Sequence, residues 1–457
     1  MRTEKDSLGS LQVPDDALYG IHTMRSLNNF DGLGRPFDLP IVHAMALLKQ
    51  ACALANHDLG LLDATTTRAI IQACESIRDG QHDAWFPIDV FQAGSGTSSN
   101  MNVNEVIANI ASAGMGAEKG SRAVHPNDDV NKGQSTNNIV PSAIRIACVV
   151  LTDTLLTRVQ GLAAALEGKA AAYSSVNKSA RTHLQDAVPI TLGQEFGAYA
   201  RALEKDIARL RVARQGLLEL GVGGNAAGTG VNTKPGFRQA IIAHLRSLTD
   251  EDYTQAVDGI EATQFLTDLG ALSGAMRMLC VDVQKIVNDL RLLSSGPNTG
   301  MADIALPPVE PGSSIMPGKI NPSICEAANQ ACLYCLGLDH SVALACAAGQ
   351  LELNTHMPLV GHCLVSMLQV MARTCSSLDA RCVRGVAANV QTCQGHFERS
   401  AGLATILNPR LGYDKVAELV KESLASGRTV KEIALAKRIL TEQEYAALIA
   451  GSTQPNL

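Results

Sequence analysis

Apolar residues recur at helical spacing through the middle of the chain. Leu155, Val159, Leu162 and Leu166 mark one stripe, and Leu203, Ile207, Leu210 and Leu217 mark a second. The clearest stripe is Leu279, Val283, Ile286, Val287 and Leu290, an i, i+4, i+7, i+8, i+11 series that keeps one face of a helix apolar. Such stripes predict long amphipathic helices that bury their leucines against one another in a bundle. Between them run stretches rich in Gly, Ser, Thr and Asn, residues that favour turns and loops. They are residues 94–100, 125–138, 221–233, 294–300 and 307–322. An apolar helical scaffold joined by polar loops predicts sites assembled at helix ends. Beyond about Val390 the pattern changes. Thr429-Val430-Lys431-Glu432 and Thr441-Glu442-Gln443-Glu444 each place Thr three residues before Glu, as in a capping box, and predict a small separate helical domain.

Composition narrows the picture. The 457 residues are 46% hydrophobic and 18% charged, so the chain is an ordinary globular protein with room for a large core. Aromatics are only 4%, with one Trp, so Ala, Leu and Val must fill that core by close helix packing. The net charge is −6 and no basic block stands out, which excludes nucleic acid and anionic membranes as expected partners. The opening residues, Met1-Arg2-Thr3-Glu4-Lys5-Asp6, hold no apolar signal core, and no uninterrupted apolar run approaches about 18 residues. The expected location is therefore the cytoplasm. There, most of the twelve cysteines are expected to be buried free thiols. Cys332 and Cys335 have CxxC spacing, but a zinc site needs a second ligand pair and a redox site needs a βαβ context, so core packing is the better reading.

Four segments carry candidate chemistry. Gly312-Ser313-Ser314-Ile315-Met316-Pro317-Gly318-Lys319-Ile320-Asn321-Pro322 is broken by Gly and Pro, which disfavour regular helix. It offers hydroxyls, a cation and an amide close together, a set suited to an anionic substrate. A serine in such a field can ionise and act as a base; a plain flexible linker is the alternative. In Arg181-Thr182-His183-Leu184-Gln185, read as lying near a helix start, His183 is either a structural residue or an acid/base group. Asn131-Lys132-Gly133-Gln134-Ser135-Thr136-Asn137-Asn138 is suited to fixing a carboxylate, or equally to capping the following helix. Gly94-Ser95-Gly96-Thr97 lacks the GxxxxGK[ST] pattern of a phosphate loop and by itself reads as a plain loop.

Together these segments resemble the aspartase/fumarase superfamily. Residues 312–322 match its signature loop, usually GSSxMPxKxNP, throughout. Residues 94–104, 125–138, 181–195 and 228–233 resemble the family's other blocks, so the resemblance runs from about Asp16 to the C-terminus. It implies a mainly all-α fold: a mostly helical N-terminal domain over residues 1–134, a central long-helix bundle over 135–389 carrying the signature loop, and a small helical domain over 390–457. It also implies a homotetramer with a core formed by bundles from four subunits and active sites composed from three of them. No cofactor or metal is expected. The implied partner is a small dicarboxylate or amino-acid substrate.

The implied reaction is a reversible anti β-elimination that gives fumarate. By resemblance the base is Ser313, and Lys319 and Asn321 hold the carboxylate that becomes the doubly charged aci-acid. Thr182 and His183 match the family's Thr-His pair, and Glu326 matches the acidic partner that orients the His in fumarases. Ser135, Thr136 and Asn137 match the binding trio, and Thr97 matches a residue near the leaving group. His125, Asn127 and Asp128 resemble a secondary anion site of fumarases.

Particular blocks divide between the two branches. Tyr19-Gly20-Ile21-His22-Thr23, residues 86–90, residues 292–297 and residues 348–354 resemble aspartases. Ser95, His183 and Glu326 resemble fumarases. Asn138, Asn225 and Asn298 fit neither: Asp, Thr and Arg are usual there. They read either as drift with local compensation or as a pocket reshaped for a different amine or a substituted succinate. The first expectation is release of ammonia from L-aspartate. The alternatives are a fumarate hydratase, and a lyase releasing another amine or nucleophile.

Overall fold

All thirteen residues of the three apolar stripes are buried in the computed structural model, which describes residues 1–30, 32 and 34–453. They lie on or directly beside three long helices: Thr136–Ala172, Leu192–Gly216 and Thr267–Leu293, of 37, 25 and 27 residues. Ser323–Ala347 and Met357–Arg381 add 25 residues each. The fold is mainly α-helical, as the periodicity predicts.

The chain divides into two units. One comprises Met1–Leu156, Ala208–Met278 and Leu333–Met371; the other comprises Thr157–Ile207, Leu279–Cys332 and the chain from Ala372 onward. In the first unit, the helix Leu39–Asp58 packs against Ala64–Arg78 and Phe237–Thr249. Arg145, on the Thr136–Ala172 helix, ties neighbouring segments by donating to the Gly216 carbonyl at 3.0 Å and pairing with Asp268 at 2.8 Å.

In the second unit the strands Asn177–Thr182 and Gln185–Thr191 form an antiparallel hairpin. It packs against the helix Val390–Arg399 and the 3₁₀ segment Ala401–Leu407. The C-terminal segment has its own cluster of buried side chains, among them Phe397, Leu407, Ile433 and Tyr445. Both capping boxes form. Thr429 and Thr441 each accept a backbone N–H from the Glu three residues on, and each Glu carboxylate accepts the Thr N–H in return.

Among the described residues every sheet has two strands. An N-terminal hairpin pairs Arg2–Asp6 with Gly9–Val13, a feature the charged opening sequence did not suggest. Two helices, Leu39–Asp58 and Thr136–Ala172, prove long and apolar enough to cross a membrane, although neither holds an uninterrupted apolar run. In each, 78% of the apolar window is buried inside the protein, as in core helices. None of the twelve cysteines forms a disulfide, and Cys332 and Cys335 are fully buried, in line with core packing.

Candidate active site

In the first unit two helix starts meet. Residues 94–96 are a loop, as read, but the helix Thr97–Gly114 begins at Thr97. Gly94 and Gly96 are there for space. A Cβ on Gly94 would lie 1.9 Å from the Thr355 carbonyl oxygen, and one on Gly96, whose φ is +83°, would lie 2.9 Å from Val140 Cγ1. Val140 is in the second turn of the Thr136–Ala172 helix. Asn100 closes the same junction, its Nδ2 donating to Thr136 Oγ1 at 2.9 Å. Partial positive charge gathers at such helix N-termini, and anions bind there.

Thr97 accordingly lines a cavity of about 640 Å³, together with His22, Arg25, Arg122, His125 and Asn127. Arg25 is neutralised by Asp6 at 2.7 Å. His22 is held in place by its helix: the Glu105 carboxylate accepts the N–H groups of Gly20, His22 and Thr23 at 2.8 to 3.1 Å, and the Thr23 hydroxyl at 2.7 Å. Burial lowers the His22 pKa, which favours the neutral ring. His125 Nδ1 accepts N–H bonds from Asn127 and Asp128, leaving the proton on Nε2.

Ser135 stands at the start of the long helix, where its Oγ accepts the Asn137 N–H at 3.3 Å, in line with the capping alternative. Its carbonyl accepts from Asn138 and Ile139 at the start of the long helix. Thr136 is held by Asn100, and Asn137 Nδ2 donates to the Ala226 carbonyl at 2.8 Å, tying the trio to the loop of residues 221–233.

The three unusual asparagines separate. Asn138 is buried, and its Nδ2 donates to Thr263 Oγ1 at 2.9 Å, while that hydroxyl itself donates to the Gly259 carbonyl. The site therefore asks for a donor, which an amide has and a carboxylate lacks. Asn225 has φ +49°, a region Asn tolerates and β-branched Thr does not, and it donates to the Val231 carbonyl at 2.6 Å. In both, the amide nitrogen finds an acceptor while the buried Oδ1 accepts no hydrogen bond from the protein among the described residues. Asn298 is exposed, and nothing in the structure explains it.

In the second unit, His183 does not stand near a helix start. With Leu184 it forms the two-residue turn of the hairpin, and both have positive φ, +55° and +58°. That conformation is unusual for a Leu and strained without Gly. The strand below is anchored by buried charges. Asp303, fully buried, pairs with Arg181 at 2.5 Å and with Lys178 at 3.4 Å, and Lys178 pairs with Glu195 at 2.5 Å. Burial pushes the Asp303 carboxyl up, but the bond from Arg181 and the charge of Lys178 outweigh it and hold the group below its ordinary value.

Residues 312–322 form a loop, as read, leading into the Ser323–Ala347 helix. Gly312 N–H donates to the Lys319 carbonyl and Asn321 Nδ2 donates to the Gly312 carbonyl, both at 2.8 Å, closing the loop at its base. Within it Ser313 Oγ accepts two backbone N–H groups, from Ile315 at 3.2 Å and Met316 at 3.1 Å. Donors aimed at a hydroxyl oxygen favour its ionised form. Lys319 is exposed, and among the described residues its ammonium has no hydrogen bond or ion pair. Glu326 lies in the first turn of the helix. It makes no hydrogen bond with His183, and none joins the hairpin turn to the signature loop among the described residues.

Thus Thr97, Ser135, Thr136 and Asn137 fall in the first unit. Thr182, His183, Ser313, Lys319, Asn321 and Glu326 fall in the second. No group of three or more His, Cys, Asp or Glu among the described residues is placed to hold a metal ion. The sequence reading missed Asn100, Glu105 and Lys49, three buried polar residues; a cation in the mainly apolar Leu39–Asp58 helix was a signal for Lys49, while Asn100 and Glu105 lie among other buried polar residues and had none.

Similarity to known proteins defines the class as a lyase. The sequence matches the family described as Lyase over residues 9–337 and the one described as Fumarase C C-terminus over residues 403–450. The aspartate ammonia-lyase of Pseudomonas aeruginosa is 44% identical, covering 98% of this chain and 95% of its own. The class II fumarate hydratase of Nitrosomonas europaea is 43% identical, covering 97% and 96%. A solved fumarate lyase:delta crystallin from Brucella melitensis, bound to cobalt, superposes with a TM-score of 0.95 at 42% identity and covers 98% of each chain. The chain belongs to the aspartase/fumarase superfamily of lyases.

Proposed function

We propose that this lyase eliminates ammonia from L-aspartate to give fumarate, reversibly, in the cytoplasm. The observation that carries the reading is Ser313, whose oxygen receives two backbone N–H groups in a loop that also presents the unpaired Lys319 ammonium. As an alkoxide, Ser313 takes the proton from the carbon beside one carboxylate. The freed electron pair passes into that carboxylate, making an aci-acid with two negative charges. Lys319 and Asn321 face the growing charge. The pair then forms the C=C bond as the C–N bond breaks, and its electrons leave with the amine. Ser135, Thr136, Asn137 and Thr182 bind carboxylate oxygens, and Thr97 faces the leaving group.

The site is composed from several copies in a homotetramer. Ile315 at 83% exposure and Leu184 at 64% stand out on the two site segments of a single chain, and Val150, Val212, Leu333 and Leu344 are exposed along the long helices. Apolar surface on this scale favours burial against further copies.

A hydratase is the second reading, supported by the resemblance of His183 and Glu326 to the acid/base residues of fumarases, although no hydrogen bond joins the two within one chain among the described residues, and by the relatives named class II fumarate hydratase. The experiment follows fumarate absorbance with L-aspartate or L-malate as sole substrate. Faster turnover of L-malate overturns the ammonia-lyase reading.

A further inference from the structure

Lys49 lies in the middle of the Leu39–Asp58 helix and is fully buried. Its ammonium contacts two side-chain oxygens, Gln134 Oε1 at 3.1 Å and Asn131 Oδ1 at 3.3 Å. No carboxylate pairs with it among the described residues. A buried ammonium without a counter-ion is costly, and proteins rarely keep one without a use.

Asn131 and Gln134 immediately precede Ser135, Thr136 and Asn137. Their nitrogens are spent on the loop itself: Asn131 Nδ2 donates to the Gln134 carbonyl at 3.2 Å and Gln134 Nε2 to the Val130 carbonyl at 2.8 Å. Their oxygens therefore face Lys49. Asn131 Oδ1 also accepts from Asn100, which holds Thr136. Lys49 thus stands directly behind the segment assigned to a substrate carboxylate.

We propose that Lys49 is a positioning residue for the Ser135, Thr136 and Asn137 segment, and that its buried charge finds its counter-ion in the carboxylate of the bound substrate. The inference rests on the functional reading above. The ionisable groups facing Lys49 are two thiols: Cys52, on its own helix, and Cys74, from Ala64–Arg78. Burial pushes both up to about 12, so they supply no charge at neutral pH. Charged groups on the other packed elements are engaged elsewhere. Glu105 binds the Gly20 to Thr23 backbone, Asp129 accepts from the His125 N–H, Arg238 donates to the Gly223 and Gly228 carbonyls, and His244 pairs with Asp58.

Burial lowers the Lys49 pKa to about 8 in the free protein. An arriving carboxylate favours the ammonium and raises that value, so binding near pH 8 must take up a proton. Affinity is then full below pH 8 and falls as the pH rises above it.

The test measures succinate binding to the full-length protein by calorimetry in buffers of different ionisation enthalpy, from pH 6.5 to 9.5. For wild type we expect proton uptake near pH 8 and weaker binding above it. Lys49→Met should bind succinate on the order of tenfold more weakly at pH 7, with no proton uptake and a flat profile; Lys49→Gln, which keeps a donor without the charge, should share the flat profile and serves if Lys49→Met does not fold. A merely structural role would lower thermal stability and leave the proton count unchanged, which overturns the proposal. So does a wild type that binds succinate without proton uptake. Wild type that binds no succinate at all sinks the functional reading itself, and this inference with it.

Discussion

Asp303 accepts from both terminal nitrogens of the Arg181 guanidinium, at 2.5 and 3.2 Å. Arg181 is the residue before Thr182, so this buried pair fixes the strand that ends in the strained His183–Leu184 turn. Replacing Asp303 by Asn would leave Arg181 and Lys178 facing a neutral amide. Removing one partner of a buried pair costs about 3–5 kcal/mol, so the urea midpoint at pH 7 should drop markedly. The pH dependence has a definite sign. The folded carboxyl is held below its ordinary 3.8, so its stabilisation is present above that value and is lost as the pH falls through the lower, folded one. The stability gap between wild type and variant should be level near neutrality and narrow below about pH 4. A gap independent of pH would mean that the pair contributes packing and not charge.

Ser313→Ala should lower kcat by about 10²- to 10⁴-fold, the usual worth of a positioned base. The hydroxyl is partly exposed and bonds only to its own loop, so the thermal midpoint should hardly move. Stopped-flow fumarate formation and scanning calorimetry on the same sample separate the two effects. Near wild-type turnover would remove Ser313 from the mechanism.

Lys319→Ala should raise KM and lower kcat together. Its ammonium attracts the carboxylate of the bound substrate and attracts it more strongly once two charges have gathered there. Steady-state kinetics at fixed ionic strength decide the matter. A change confined to KM would assign stabilisation of the aci-acid to another group.

Much of the scaffold was legible because long helices write their period plainly. The thirteen stripe residues are all buried, and the Thr429 and Thr441 capping boxes form as their spacing requires. The hairpin over residues 177–191 was not legible. Its first strand, Asn177–Thr182, is polar and shows no apolar alternation, and its turn uses His183 and Leu184 where Asn or Gly would announce one. The support of the site was equally silent. Lys49, Asn100 and Asp303 act through partners tens to hundreds of residues away, which no local pattern reveals. Asn138 shows the converse: an anomaly in sequence whose amide nitrogen is met in space by Thr263.

The assembly should be a tetramer of four 48.2 kDa chains by light scattering. Leu344, 60% exposed on a long helix, is a direct probe. Leu344→Lys would bury a charge at an interface, and smaller species should appear as activity falls. A monomeric wild type with full activity would contradict a composite site.

The leaving group can be assigned by asking which variant matters for which substrate. An amine leaves from its protonated form as neutral ammonia, so the bond breaks without an acid at the leaving group. A hydroxyl leaves badly unless a proton reaches it in the transition state. An ammonia-lyase therefore needs oxygen acceptors around the ammonium, which Thr97, Ser135 and Asn137 can provide, and a hydratase needs an acid/base pair such as His183 with Glu326. We expect kcat/KM for L-aspartate to exceed that for L-malate by at least about tenfold, a difference of roughly 1.4 kcal/mol in transition-state binding. We also expect Glu326→Gln to leave L-aspartate turnover within a few fold of wild type. A preference for L-malate, abolished by Glu326→Gln, would instead make water the leaving group and the pair its proton source. Inactivity on both substrates, with succinate still bound, would point to a larger amine or other nucleophile on the same succinate framework.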